Sequence, residues 1–283
     1  MKPISTRITI AFGLACVALV PWPLMGQTAG SDQVPPPDSS SSQSAQTPPA
    51  TPTPLPPSVS RPVSWKLLLP NLVSDQQRIW TFPSRLERKR NWVPTVAILA
   101  TAAGLVALDP TEANYFRQST TFHGFNGVFT SNRMMYGTLL APAGLYVAGL
   151  ARKDSKMTGT ALLAGEALAD VGLLSTVLKD VTRRVRPANL PPHGNAYDTW
   201  FESGGSITNG RGSFPSGHTI AAFAVATIVA RRYPNHRWVP WVAYGAAALV
   251  GFSRLSLSAH FSSDVFVGAA LGYSVSRFAV LPQ

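Results

Sequence analysis

Cysteine, charge and strand-like alternation are all scarce in this sequence. The single cysteine, Cys16, excludes an internal disulfide framework and any cysteine-rich zinc site. Only 13% of the 283 residues are charged, where a soluble domain carries roughly a quarter. With 45% hydrophobic residues, that shortfall favours a membrane-associated or unusually apolar helical protein. Acidic groups are the rarer sign, 13 Asp and Glu against 24 Lys and Arg, giving a net charge of +11. Such a balance suits anionic partners: phosphate groups or acidic lipid head groups. Nucleic acid is not expected, because basic-aromatic interleaving and groove-reading motifs are missing.

What is present falls into four parts. Residues 1–27 read as an export signal: Lys2 and Arg7 precede an apolar stretch from Ile8 to Val20, which Pro21 and Pro23 stop. That stretch is too short to cross a bilayer core of ~30 Å as a straight helix. Residues 28–62 are rich in Pro, Ser, Thr and Gln and form a disordered tether, having too little apolar surface to fold. Residues 63–91 mix Trp65, Leu67, Leu69, Ile79, Trp80 and Phe82 with Arg85, Arg88, Lys89 and Arg90. They read either as a segment at a membrane surface or as a packing strap with a solvated basic end. Residues 92–283 are the main domain.

That domain is a series of Ala-, Leu-, Val- and Gly-rich stretches, placed near 92–108, 134–151, 157–180, 217–232, 238–253 and 262–280. Without strict alternation between them, the expectation is an all-α bundle of six helices, embedded in or attached to a membrane. Glu166 and Asp170, one turn apart in the third stretch, would have to face the bundle interior if that helix spans.

Three polar clusters interrupt the apolar sequence. The first is Lys179 followed, after six residues, by Arg186-Pro187; the second is Pro215-Ser216-Gly217-His218; the third is Ser253-Arg254, His260 and Asp264. Lys179, Arg186 and Arg254 would bring three cations to one point, where guanidinium forks match phosphate oxygens. Gly217 lets backbone approach a ligand, and Ser216 would cap the following helix or offer its hydroxyl to phosphate. His260 and Asp264, four apart, are expected on one helical face, the carboxylate fixing the imidazole tautomer and leaving the other nitrogen free to attack. His218 is then available as acid and base.

This arrangement resembles the PAP2 and vanadium-haloperoxidase superfamily, whose three-part signature KxxxxxxRP, PSGH and SRxxxxxHxxxD is matched without departure. The resemblance covers roughly residues 90–283. It implies a phosphohydrolase in which His260 forms a phosphohistidine, His218 is the acid and then the base, and Asp264 orients His260. Lys179, Arg186, Ser216, Gly217 and Arg254 would bind the phosphate. No metal or cofactor is called for, since the cations stabilise the transition-state charge. The expected substrates are lipid phosphates or pyrophosphates of the phosphatidic acid, phosphatidylglycerol phosphate, polyprenyl pyrophosphate or lipid A phosphate class, acted on from the periplasmic side. A soluble periplasmic acid phosphatase, a vanadate-dependent haloperoxidase and a non-catalytic phosphate-binding membrane protein are the alternatives.

Outside the signature, Arg183 and Arg184 are expected to be solvated or lipid-facing, and His123, His193 and His236 to be surface or structural. The long loop 188–214 carries Tyr197, Trp200 and Phe201. A loop of that length is more often functional than not, so these aromatics are expected to contact the apolar part of the substrate, with a plug over the bundle end as the alternative.

Overall fold

The computed structural model describes residues 61–82, 92–191, 196–202 and 212–281; the export signal, most of the tether and the basic run Arg85–Arg90 lie outside them. Among the described residues there are eight α-helices and no strand. They are α1 (Leu68–Trp80), α2 (Trp92–Gln118), α3 (His123–Val128), α4 (Ser131–Ala151), α5 (Ser155–Thr182), α6 (Gly217–Arg232), α7 (Trp238–Ser256) and α8 (Ser262–Ser274). A π-helical turn, Val275–Val280, continues α8. The six expected helices are all there, several of them longer than the apolar run that betrayed them. The count of six is corrected by α1, which is amphipathic and has no continuous apolar run, and by α3, which is only six residues long.

α6 is the axis of the domain, packed against α4, α5, α7 and α8. Its inward positions are Thr219, Ile220, Ala221, Ala222, Phe223, Ala224, Ala226, Thr227, Ile228 and Ala230, all buried. Small residues on so many sides let neighbouring backbones come close, as they do in bundles without a water-driven collapse. The closest approach is to α8. A Cβ at Gly268 would stand 3.0 Å from the Ser216 carbonyl oxygen, and one at Gly272 would overlap the Ile220 carbonyl oxygen. These contacts bring the starts of α6 and α8, which carry His218 and Asp264, to the same end of the bundle.

α2 and α4 stand at the periphery and turn apolar side chains outward; Leu99, Leu140 and Val147 are 62%, 63% and 65% exposed. Three stretches are long and apolar enough to cross a membrane: Trp92–Gln118, Ser131–Ala151 and Ser155–Asn189. At 1.5 Å per residue, α2 alone reaches about 40 Å against a hydrocarbon core of about 30 Å.

Glu166 and Asp170 of α5 are buried as expected, and α1 is what covers them. Asn71 donates to Glu166 Oε1 at 2.7 Å and Gln76 to Asp170 Oδ1 at 2.8 Å. Arg61, assigned to the tether by composition, is instead docked: it donates to buried Asp75 at 2.7 Å and to the Val280 carbonyl at 2.9 Å. α1 thus packs as a strap, while Trp65, Leu69, Val73 and Trp80 on its other side stay exposed.

The close α6–α8 contact predicts that Gly272→Ala lowers stability by about 1–3 kcal/mol, the usual cost of overpacking. Gly144→Ala, at a helical glycine with nothing within 4 Å of an added Cβ, should be neutral or slightly stabilising. Thermal unfolding of both variants in detergent checks this; equal midpoints would show that the contact can open without cost.

Candidate active site

The three polar clusters meet at one end of the bundle, where α5 finishes and α6 and α8 begin. Lys179 sits in the last turn of α5, and Arg183, exposed in a left-handed conformation (φ 43°), ends that helix. The chain then runs extended through Arg184 to Arg186, pinned by Val185 N–H to the Thr199 carbonyl at 2.8 Å and by Ser213 N–H to the Arg184 carbonyl at 2.7 Å. Pro187 opens a single 3-10 turn.

Gly217 starts α6, and the reason for glycine is local: a Cβ there would stand 3.2 Å from Lys179 Nζ. The lysine ammonium therefore lies against the first turn of α6, where backbone N–H groups already favour an anion. Ser216 occupies the N-cap position without making the side-chain cap bond. Its buried hydroxyl instead accepts from Thr219 at 2.9 Å. Of its two expected tasks, capping is thus not performed.

Arg254, at the end of α7, is fully buried. It donates to the Ser131 hydroxyl at 2.9 Å and to the Phe129 carbonyl at 3.2 Å. Burial, with the Arg186 charge adding, lowers its pKa to about 10. The Arg186 charge also acts on Lys179, so the three cations face one another. Arg186 Nε is buried and has no hydrogen-bond partner among the described residues. An unpaired buried donor beside two other cations is what an anion site requires of its protein.

His260 and Asp264 are together, but not on one helical face. α8 begins at Ser262, so His260 stands in the preceding turn and only Asp264 is helical. The i,i+4 spacing works because Asp264 reaches back, accepting from the Phe261 amide at 3.0 Å through Oδ2. The same oxygen accepts from the Ser213 hydroxyl and lies 3.6 Å from His260 Nδ1. The shorter contact to that nitrogen is the Ser213 carbonyl, at 2.7 Å. Nδ1 therefore carries the proton and Nε2 is the lone-pair nitrogen, with the backbone of Ser213 rather than the carboxylate as the main tautomer lock.

The electrostatics follow from burial. His260 is held below the ordinary histidine range, first by burial and then by Lys179 and Arg186, with Asp264 opposing. Burial alone would raise Asp264, but His260, the Arg184 guanidinium and the Ser213 hydroxyl outweigh it and keep the carboxyl below its usual range. His218, half-buried, shares its Nε2 with the Ser131 carbonyl at 3.1 Å. Burial first, then Arg254, lowers its pKa to about 4.

Arg184 overturns its expectation. It is 1% exposed, neither solvated nor lipid-facing. Nη1 donates to Asp264 Oδ1 at 2.6 Å and to the Ser263 hydroxyl at 2.7 Å, while Nη2 donates to Asp109 Oδ2 at 2.6 Å. Two buried carboxylates supply the compensation that solvent would otherwise give. The Trp200 and Phe261 rings cover its faces at 4.3 and 4.0 Å. Asp109, Arg184, Ser213 and Ser131 were all missed in the sequence. None of the four belongs to the signature, and the usable hint was a pair of carboxylates, Asp109 and Glu112, following the apolar run of α2.

With this geometry in place, the comparisons with known proteins can be read. Residues 160–281 match the PAP2 superfamily. That match spans less than half of the chain. A lipid A 1-phosphatase of Porphyromonas gingivalis is 42% identical over 66 residues, 23% of this chain and 15% of that protein. A lipid A 1-phosphatase of Rhizobium etli is 34% identical over 102 residues, 36% of this chain and 40% of that protein. Phosphatidylglycerophosphatase B of Bacillus subtilis is 34% identical over 109 residues, 35% of this chain and 46% of that protein. The chain thus spans less than half the length of these curated relatives. The solved transmembrane PAP2 type phosphatidylglycerolphosphate phosphatase of Bacillus subtilis aligns with 75% of this chain and 90% of its own, at 25% identity and a TM-score of 0.37.

In loop 188–214, Trp200 itself takes the plugging part and not the substrate-contacting one. Its ring is committed to Arg184 and, edge-on at 5.2 Å, to Phe214, so it plugs the site wall; Tyr197 and Phe201 remain 73% and 71% exposed. His123 starts α3 and His236 lies by Tyr233, both away from the cluster, and His193 is outside the described residues. Trp200→Ala should lower turnover of a lipid phosphate and of a small phosphate ester alike, by about tenfold, as loss of a buried cation–π contact implies. Paired assays on the two substrates check this, and a loss confined to the lipid would restore the substrate-contact role.

Proposed function

We propose that this chain is a PAP2-type phosphohydrolase that cleaves lipid phosphates or pyrophosphates, without a metal, through a phosphohistidine on His260. The observation that carries the reading is the state of His260. It is buried, its Nδ1 is tied to the Ser213 carbonyl so that Nε2 keeps the lone pair, and the charges of Lys179 and Arg186 are near enough to act on the ring. Nε2 attacks phosphorus as the bond to the leaving oxygen breaks. Lys179, Arg186, Arg254 and the amides at the start of α6 take up charge on the equatorial oxygens.

His218 protonates the leaving oxygen and then takes a proton from the water that cleaves the P–N bond, releasing orthophosphate. With its pKa near 4 in the empty cradle, His218 loses its proton as pH rises through that value and is neutral at pH 7. A bound phosphate dianion supplies the counter-charge that restores the proton. Hydrolysis is accordingly fastest on the acid side of neutrality and declines as pH rises.

Lipid substrates are favoured by the outward apolar faces of α2 and α4 and by the lipid phosphatases among the relatives. The turns at the end of the bundle opposite the site carry Arg152, Lys153, Lys156, Arg231, Arg232 and Arg237 against one carboxylate, Asp154. Clustered Lys and Arg in short loops mark the cytoplasmic side, which supports the reading that the site faces the periplasm.

A panel of lipid and soluble phosphates, assayed with chelator present, tests this. The wild type should release phosphate, preferring a lipid, and His260→Ala should lose at least about 10³-fold, as removal of a nucleophile does. In sealed spheroplasts, a water-soluble ester added outside should be hydrolysed without lysis. Activity that survives in His260→Ala, or that needs lysis to appear, would contradict the mechanism or the orientation respectively.

A further inference from the structure

Arg184 has the charge of the cradle cations but none of their availability. Each of its three side-chain nitrogens already donates within the protein: Nε to the Thr199 hydroxyl at 3.3 Å, Nη1 to Ser263 and Asp264, and Nη2 to Asp109. Its two faces are covered by Trp200 and Phe261. Such a guanidinium does not bind the phosphate; its partners are the first turn of α8 and the end of α2.

Asp109 is equally committed. Oδ1 accepts from the Ser262 hydroxyl and the Ser263 amide, both at 3.2 Å, and Oδ2 accepts from the Ser263 hydroxyl and from Arg184. A carboxylate from α2 therefore stands at the N-terminus of α8, in the position an N-terminal acidic group would occupy to favour the helix, and holds the helix from outside. On the other side of Arg184, Asp264 is left with Oδ2 directed to Ser213, the Phe261 amide and His260 Nδ1.

We infer that Arg184, backed by Asp109, is a positioning residue for the nucleophile: it clamps Asp264 Oδ1 so that Oδ2 fixes Ser213 and the His260 ring in front of Lys179 and Arg186. The inference rests on the reading that His260 attacks phosphorus. The fork geometry is essential to it, because a lysine ammonium is a point charge that cannot hold two carboxylates in one plane. Asp109 also balances the guanidinium. With it, the chain Asp109–Arg184–Asp264–His260 alternates in charge; without it, the arginine would draw on Asp264 alone and depress the basicity of His260.

The pH dependence gives a signature that simple loss of structure does not. The charged groups facing His260 and Asp264 are Asp109 and Glu112 from α2, Lys179 from α5, Arg184 and Arg186 from the segment after it, His218 from α6 and Arg254 from α7. Asp109→Asn removes a negative charge, so the protonated form of His260 is disfavoured and the acidic limb of kcat/KM moves to lower pH. Arg184→Gln removes a positive charge, so the limb moves to higher pH. Each shift should be about half a unit or more, the size that one nearby charge produces. Ionisation of the substrate is common to all variants and cancels in the comparison.

The experiment uses the full chain purified in detergent, a small phosphate ester, and orthovanadate as a probe of the cradle. For Asp109→Asn, Arg184→Gln and Arg184→Lys, kcat should fall about 10- to 100-fold, the scale of a slightly misplaced reacting group. KM and the vanadate inhibition constant should stay within about threefold, since Lys179, Arg186 and Arg254 are untouched. Arg184→Lys should keep the wild-type position of the limb but not recover kcat. The inference is overturned if a folded variant turns over at the wild-type rate, if both limbs move the same way or not at all, or if vanadate inhibition falls in step with kcat. Should Arg184→Gln not accumulate, Asp109→Asn decides alone through the direction of its limb. His260→Ala run alongside separates the two claims, because activity surviving there defeats the nucleophile itself whatever Arg184 does.

Discussion

A guanidinium taken fully out of water must be given back what the water supplied. At Arg184 that compensation comes from Asp109 on α2, Asp264 on α8, two hydroxyls and two aromatic faces. Those partners come from segments far apart in the chain, so meeting the demand of one side chain fixes the mutual position of α2, α8, the stretch after α5 and the loop around Trp200. A buried ion pair of this kind is weak support for stability, because desolvation offsets most of the attraction. What it does specify is one arrangement out of many, and that arrangement is the one in which His260 faces Lys179 and Arg186. The close α6–α8 contact through Gly268 and Gly272 does the complementary job of bringing His218 to the same end.

The cradle inverts the usual rule that buried charges come in opposite pairs. Lys179, Arg186 and Arg254 face one another, and Arg186 Nε has no partner among the described residues. Cations so placed are costly alone and favourable when a multiply charged anion completes them, which is what the proposed phosphate cradle requires. The same cations lower the basicity of both histidines. This favours an unprotonated His260, and under the proposed mechanism His218 gains its proton only once phosphate is bound.

Much of this was legible in the sequence, for different reasons at different places. The long helices announce themselves by apolar runs, and all six expected ones are present. Lys179, Arg186, Arg254 and both histidines stand out because they sit in short clusters at fixed spacings. The two additional helices were not legible: α1 sets a polar side against Glu166 and Asp170 and leaves its apolar stripe exposed, so it shows no continuous apolar run, and α3 is only six residues long. The i,i+4 pair of His260 and Asp264 was read as helical because spacing alone does not show where a helix begins. The helix starts at Ser262, between the two. Arg184 was misjudged because its nearest carboxylate partners are 75 and 80 residues away; no local pattern says that a basic residue beside a helix end will be buried. Trp200 was misread with it, since its role exists only through Arg184.

The histidine mechanism is decided by which atom the phosphoryl group visits. In His218→Ala, where no base remains to activate the hydrolytic water, the enzyme should stall after the first step if the leaving group departs without needing an acid. Rapid quenching with a radiolabelled nitrophenyl phosphate, whose phenolate leaves unprotonated, followed by peptide mapping, should then recover close to one equivalent of acid-labile, base-stable phosphate on His260, with none in the His260→Ala, His218→Ala double variant. Label on another residue, or steady hydrolysis with no covalent label at any time, would contradict the histidine mechanism.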